Sequence, residues 1–339
     1  MLNGNEIIYQ IFVRNYSQEG TFKKVIEDLP RLKDLGVDII YLMPIHEIGI
    51  KNRKGTYGSP YAVKDYYSIS KDLGTKEDFL SLINSTHKLG MKIIIDMVFN
   101  HTAPDSVLLE QHPEYYFYRD GKLGNRVGDW SDIIDLDTHR EDTQNYLVDV
   151  LKYWVSLGVD GFRFDVASMI DFKVFSKARE ALGKEVIFIG ESVDAWFANY
   201  LQSNKYYYTP DIDMFPVFDA LYNYSWFRIF EQYLRKEVEL EVLLKAIKDD
   251  EKLLEGKGLR VNCLENHDNE RVAHYVNEKE LEKIVDLFTE IKGPLFIYMG
   301  QEFGIKHKPE LFEKDPVVWT PNDRVLAIYQ KAIKTKKNH

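Results

Sequence analysis

One local pattern recurs along the chain and restricts its fold more than any other feature. The stretches "DLGVDIIYLMP" (34–44), "KLGMKIIIDMVFNH" (88–101) and "SLGVDGFRFDVA" (156–167) each set a glycine after a helical segment and then start a short apolar run. "ALGKEVIFIGES" (181–192) repeats it with one extra residue. Gly36, Gly90, Gly158 and Gly183 read as helix C′ caps, where a missing Cβ removes the penalty of a left-handed backbone. The runs that follow are rich in Ile, Val and Phe without polar alternation, as in strands buried on both faces. The preceding helices are amphipathic. Thr75 to Asp78 resembles a capping box, after which Phe79, Leu82, Ile83 and Thr86 fall on one face, as do Leu147, Val150, Leu151 and Trp154 before Gly158.

Helix, glycine and buried strand in repetition specify a parallel sheet. Candidate strands lie near 6–13, 37–43, 92–98, 160–165, 186–190, 212–217, 259–264 and 294–299. Eight strands in 339 residues favour an α/β fold of the (β/α)8 TIM barrel type, typically ~250 residues before insertions. No G-x-G-x-x-G or Walker pattern follows a strand, which weakens a nucleotide-binding open sheet. One connection, from His101 to Arg140, is longer than ordinary loops. Its tyrosines, Trp130 and scattered acids suggest a small subdomain leaning over the barrel mouth.

The formal charge of −10 argues against a nucleic-acid partner, since a phosphate backbone wants a basic face. No stretch approaches a membrane span, and Cys263 is the single cysteine, so neither a disulfide framework nor a thiolate metal cluster is expected. The start, "MLNGNEIIYQIFV", shows no signal-peptide pattern, which points to a cytoplasmic address.

In a barrel of this kind, the C-terminal strand ends build the active site. "IIIDMVFNH" brings Asp96, Asn100 and His101; "GFRFD" brings Arg163 and Asp165; "VIFIGE" brings Glu191; "RVNCLENHD" brings Asn266, His267 and Asp268. Three carboxylates, Asp165, Glu191 and Asp268, thus reach one rim. Such a gathering suits a reaction with a cationic transition state, and glycoside hydrolysis is one.

"DMVFNH", "GFRFDVASM", the glutamate of "IGES" and "LENHD", in this order and on these strand ends, resemble the four signature regions of the α-amylase family, glycoside hydrolase family 13. "YGSPYAVKDYY" (57–67) is similar to the family's tyrosine-containing loop after the second strand, and "GPLFIYMGQEFG" (293–304) to its eighth strand. The resemblance runs from about residue 6 to about 335. It implies that Asp165 is the nucleophile, Glu191 the general acid and then base, and Asp268 a carboxylate that binds sugar hydroxyls and helps distort the ring. Arg163 would hydrogen-bond Asp165 and keep it ionised; Asp96 would hold that arginine. His101 and His267 would contact hydroxyls, and Tyr61 would stack beneath the sugar.

The resemblance further implies a barrel over 1–99 and 136–339 with a short domain B at 100–135. Family members usually continue into a β-sandwich domain C, for which "RVLAIYQKAIKTKKNH" leaves no room. The chemistry requires no cofactor. Asn100 and Asp135 match positions that hold a structural calcium in many members, with the Met169 carbonyl as a further ligand, although calcium prefers six to eight oxygens. Many α-amylases carry Lys-His at the third and fourth positions after the nucleophile; Ser168 and Met169 stand here.

The implied activity is retaining hydrolysis of α-1,4 links in starch, glycogen or maltooligosaccharides. A transglycosylase, a cyclomaltodextrinase or an α-1,6-glucosidase shares the chemistry; "IIDLD" (133–137) lacks the Gln-Pro start and terminal Asn of oligo-1,6-glucosidase segments. A non-catalytic sugar-binding homologue is the alternative from another class, and such proteins normally lose carboxylates that this sequence keeps. His46, in "PIHEIG", reads as a loop residue, and Cys263 as a small hydrophobe. The sequence does not give the oligomeric state.

Overall fold

The computed structural model describes residues 1–128, 130–254 and 256–338. Eight parallel strands close into a barrel: β1 (Ile7–Ile11), β2 (Ile39–Leu42), β3 (Lys92–Met97), β4 (Gly161–Phe164), β5 (Ile187–Gly190), β6 (Ala220–Tyr222), β7 (Arg260–Cys263) and β8 (Leu295–Tyr298). Closure is direct, since Ile7 of β1 pairs with Leu295 of β8 on one side and Ile8 pairs with Ile39 of β2 on the other.

The four cap glycines stand at positive φ, from 67° at Gly90 to 104° at Gly36. At Gly36 a Cβ would also come within 2.8 Å of Ile333 Cγ2, so chain direction and packing both require glycine there. Thr75 and Asp78 form the reciprocal capping box. Phe79, Leu82, Ile83 and Thr86 are buried, as are Leu147, Val150, Leu151 and Trp154 on the helix Glu141–Ser156, so the 3.6-residue period gives the face turned to the barrel.

The sixth strand differs from the sequence expectation. Asp211–Met214 is a short helix starting after Pro210, and β6 lies further on, at Ala220–Tyr222. Pro216 removes a ladder donor from the run 212–217, while the real strand has only three residues and no glycine cap ahead of it.

The segment after β3 carries two small antiparallel ribbons. His101–Thr102 pairs with Ile134–Asp135 at its base, and Tyr118–Arg119 pairs with Lys122–Leu123 further out. Among the described residues no helix is long and apolar enough to cross a membrane.

His46 is not a loop residue in the solvated sense. It is 1 % exposed, with its ring edge-on to Trp154 and Tyr66 at centroid distances of 5.3 and 6.2 Å. Neither ring nitrogen has a hydrogen-bond partner among the described residues, and burial lowers its pKa from 6.5 to about 3. The folded value lies below the unfolded one, so the neutral ring carries no proton-linked penalty above pH 6.5. As pH falls from there toward 3, the unfolded chain takes a proton that the folded chain refuses, and stability falls. The expected contribution is about 1.4 kcal/mol per pH unit. Urea denaturation of the wild type and His46→Phe between pH 6 and 4 checks it: the variant should show the shallower decline, and equal slopes would remove His46 from the acid response.

Candidate active site

The register of β3 and β4 sets the centre of the site. Asp96 and Arg163 are directly paired across these strands, so their side chains meet at the same level of the barrel. Arg163 Nη1 donates to Asp96 Oδ1 and Oδ2 at 2.9 and 3.0 Å and to Asp165 Oδ1 at 3.0 Å. Arg163 Nη2 lies 2.8 Å from Glu191 Oε1, an ion pair without hydrogen-bond alignment. One buried guanidinium therefore contacts three carboxylates. Tyr41 and Tyr61 also donate to Asp96 Oδ2, at 2.6 and 2.9 Å, so Asp96 is wholly engaged in holding its neighbours.

Immediately after Asp165 the chain makes a strained turn. Val166 sits at φ 37° and ψ 46°, a left-handed conformation that costs a β-branched residue about 1–3 kcal/mol. The turn aims two amides at Glu191: Val166 N–H donates to its Oε2 at 2.8 Å, and Ala167 N–H to its backbone oxygen at 3.0 Å. The strain thus orients the second carboxyl.

Titration of the pair departs from the simple expectation that Arg163 keeps Asp165 low. Burial, and then the charge of Glu191, push Asp165 well above the usual carboxylate range, with Arg163 opposing. Burial also lifts Glu191 to about 7, again opposed by Arg163. The guanidinium is divided among three acids and cannot hold all of them ionised in a buried site. Burial and mutual repulsion therefore favour a proton on one of the two carboxyls, and that titration belongs to the pair.

His267 lies on the facing wall. Its ring stacks on Tyr61 at 5.1 Å and 15°. Gln10 Nε2 donates to His267 Nδ1 at 3.0 Å, which leaves the proton on Nε2, 2.7 Å from the Tyr61 hydroxyl and 3.2 Å from Asp268 Oδ2. Burial lowers His267 and brings His101 down to about 4, so burial favours the neutral form of both imidazoles. Asp268 is the exposed member, with its side chain 49 % accessible. A hollow of about 330 Å3 brings together Tyr61, His101, Asp165, Glu191, His267 and Asp268; Arg163 lies behind its wall.

Sequence reasoning missed Tyr41 and Gln10, which support the site from within strands. Each is a polar side chain in a fully buried strand, Tyr41 among aliphatic residues and Gln10 beside Tyr9, the one signal that could have marked them.

Asn100 and Asp135 adjoin each other. Asp135 Oδ2 accepts from Arg126 N–H at 2.8 Å and from Arg126 Nη1 at 3.1 Å, while Asn100 turns its amide NH2 toward Asp135 Oδ1 at 3.5 Å. Arg126 is itself buried beneath the Phe117 ring and already places a cation against Asp135. These residues do not fit a calcium ion as they stand.

Fold and site together define a (β/α)8 barrel with a paired-carboxyl cleft at the C-terminal ends of its strands. The family model for the α-amylase catalytic domain matches residues 4–132 and 125–338, and the chain belongs to the α-amylase family. It is similar to a solved α-amylase from Lactobacillus plantarum, with 39 % identity and a TM-score of 0.94 over 98 % of this chain and 80 % of that one. A maltogenic α-amylase from Thermotoga neapolitana follows at 30 % identity and 0.89, over 100 % of this chain and 78 % of the other. Among curated relatives, a probable oligo-1,6-glucosidase of Bacillus subtilis is 23 % identical over 88 % of this chain, which spans 65 % of its length. Alpha-amylase 3 of Dictyoglomus thermophilum is 26 % identical over 96 % of this chain, which spans 69 % of that protein.

The Arg126–Asp135 pair gives a direct check. Arg126→Met strands a buried carboxyl and should cost about 3 kcal/mol or more, read by chemical denaturation. Millimolar chelator or added calcium should leave the wild-type melting temperature unmoved. A chelator-induced drop of several degrees would show that a metal, and not Arg126, holds the base of the insertion.

Proposed function

We propose that this chain hydrolyses α-1,4-glucosidic bonds of starch, glycogen or maltooligosaccharides by double displacement, with retention at the anomeric carbon. The observation that carries this reading is the bridging of Asp165 and Glu191 by a single guanidinium in one cleft. Carboxyls that touch the same group suit the close spacing, ~5–5.5 Å, of a nucleophile and acid, better than the wider one that admits a water between them.

The productive microstate carries the charge on Asp165, which accepts from Arg163 Nη1 at 3.0 Å, and the shared proton on Glu191. From that state Asp165 attacks the anomeric carbon while Glu191 gives its proton to the glycosidic oxygen; the C–O bond breaks and a glycosyl ester forms on Asp165. Glu191, now ionised, takes a proton from water as that water attacks the same carbon, and the ester bond breaks. Both carboxyls return to their starting states. Asp268, His101 and His267 bind sugar hydroxyls, and Tyr61 supplies an apolar face below the ring. Neutral imidazoles are suited to this place, since they donate and accept hydrogen bonds without adding positive charge beside an oxocarbenium-like transition state.

The choice of α-1,4 linkage draws support from the relatives at 30 % identity or more, which are named α-amylase and maltogenic α-amylase. An intracellular maltogenic amylase of Bacillus subtilis, 25 % identical over 94 % of this chain, supports a cytoplasmic place in glucan breakdown. A second reading, α-1,6 cleavage, is favoured by the oligo-1,6-glucosidases among the curated relatives.

Proton NMR of products from maltotriose and isomaltose separates these readings. Maltotriose cleavage with the α-anomer appearing first is expected; cleavage of isomaltose alone would overturn the α-1,4 assignment. Asp165→Asn should lower kcat by several orders of magnitude and leave the melting temperature within a few degrees, and unchanged turnover would remove Asp165 from the mechanism.

A further inference from the structure

Gln10 stands in β1, a strand buried throughout, and its carboxamide points at the site. The residue is 0 % exposed, with Nε2 3.0 Å from His267 Nδ1, while Oε1 has no hydrogen-bond partner among the described residues. A buried amide oxygen without a partner is costly, so the donor end is what this position uses.

The proton on His267 can be placed without reference to Gln10. Tyr61 has one hydroxyl proton, which goes to Asp96 Oδ2 at 2.9 Å, so the 2.7 Å contact of that hydroxyl with His267 Nε2 must be made by a proton on the ring nitrogen. Asp268 Oδ2, 3.2 Å from the same nitrogen, would repel a bare lone pair there. Nε2 therefore carries a proton for two separate reasons. Nδ1 then sets the charge of the ring, which is neutral when that nitrogen is bare and a cation when it is protonated. Burial favours the neutral ring; of the charges that act on it, Asp268 and Asp96 favour the cation, and Arg163 and Lys308 oppose it. Against that mixed field the amide of Gln10 decides. An N–H aimed at Nδ1 bonds to a lone pair and would collide with a second ring N–H.

His267 and Asp268 both line the hollow that holds Asp165 and Glu191. A neutral ring gives that hollow one donor, Nε2–H, beside one acceptor, the Asp268 carboxylate. A sugar hydroxyl accepts and donates at once, and so fits the pair. An imidazolium would instead pair with Asp268 and set positive charge beside an oxocarbenium-like transition state. We infer that Gln10 is a positioning residue for the reaction: its amide fixes His267 as a neutral ring protonated on Nε2, so that His267 and Asp268 hold one hydroxyl of the sugar being cleaved as donor and acceptor. The inference rests on the hydrolase reading above, which puts that sugar in the hollow.

Nitrogen-15 NMR of histidine-labelled protein reads the ring directly, the His267 signals being those lost in His267→Asn. At pH 7 the wild type should show a protonated Nε2 and a bare Nδ1. A proton on Nδ1, in a reversed tautomer or a cation, overturns the inference whatever the activity. Gln10→Met keeps the volume and removes the donor. On acidification His267 should then titrate about one pH unit higher, the equivalent of one lost hydrogen bond. In the same variant kcat for maltotriose should fall by several-fold to about tenfold, with KM nearly unchanged. A folded Gln10→Met protein with an unmoved His267 titration, or with the wild-type kcat, makes Gln10 a packing residue and overturns its role. A wild type that shows the expected tautomer but cleaves neither maltotriose nor isomaltose overturns the hydrolase reading, and the hold on the sugar with it, while the assignment of the ring stands.

Discussion

The sharing of Arg163 among Asp96, Asp165 and Glu191 is the constraint around which the site is arranged. One positive charge, 1 % exposed, faces three carboxyls that are nearly as buried. Desolvating so many charges is costly, and only close geometry with further hydrogen bonds offsets it. Asp96 meets that requirement with two tyrosine hydroxyls and both contacts from Arg163 Nη1. Asp165 and Glu191 are left with less compensation than two full charges need, and so hold a proton between them. The electrostatic shortfall is what suits the pair to the proposed division of labour between nucleophile and acid. Strand register, the Val166 turn and the Tyr61–His267 stack all act to fix that arrangement.

Much of this was legible because it depended on local physics. Cap glycines and unbroken apolar runs marked the parallel strands, and the position of Arg163 and Asp165 at the end of one of them pointed to a rim with unusual charge. The pattern failed at β6, where a three-residue strand has too little length to show a period and the preceding apolar run coils around Pro210 and Pro216. His46 does lie in a bend between strands, as expected, but a polar residue beside a turn gives no sign that Trp154 and Tyr66 will close over it. Arg126 was likewise unreadable: its pairing with Asp135 depends on how the ribbon at the base of the insertion folds back. The division of Arg163 among three acids needed coordinates too, since sequence suggested its bonds to Asp165 and Asp96 but not its contact with Glu191.

The two sides of the cleft differ in physical character. On the Asp165 side, polar groups are already bonded to one another and held in place, which suits exact placement of one sugar at low cost in lost freedom. On the far side of Glu191 the wall is broad, apolar and exposed, with Trp196 at its surface.

The central claim is that Asp165 bonds to the sugar while Glu191 carries the proton. A 5-fluoro α-glucosyl fluoride slows breakdown of a glycosyl ester more than its formation, so the intermediate accumulates. Incubation with this reagent, followed by peptide mass mapping, tests the claim most directly. One fluoroglucosyl unit on the peptide at Asp165, absent in Asp165→Asn, is the result the structure calls for. A label on Glu191 or Asp268, or an inverted product without any adduct, would contradict it.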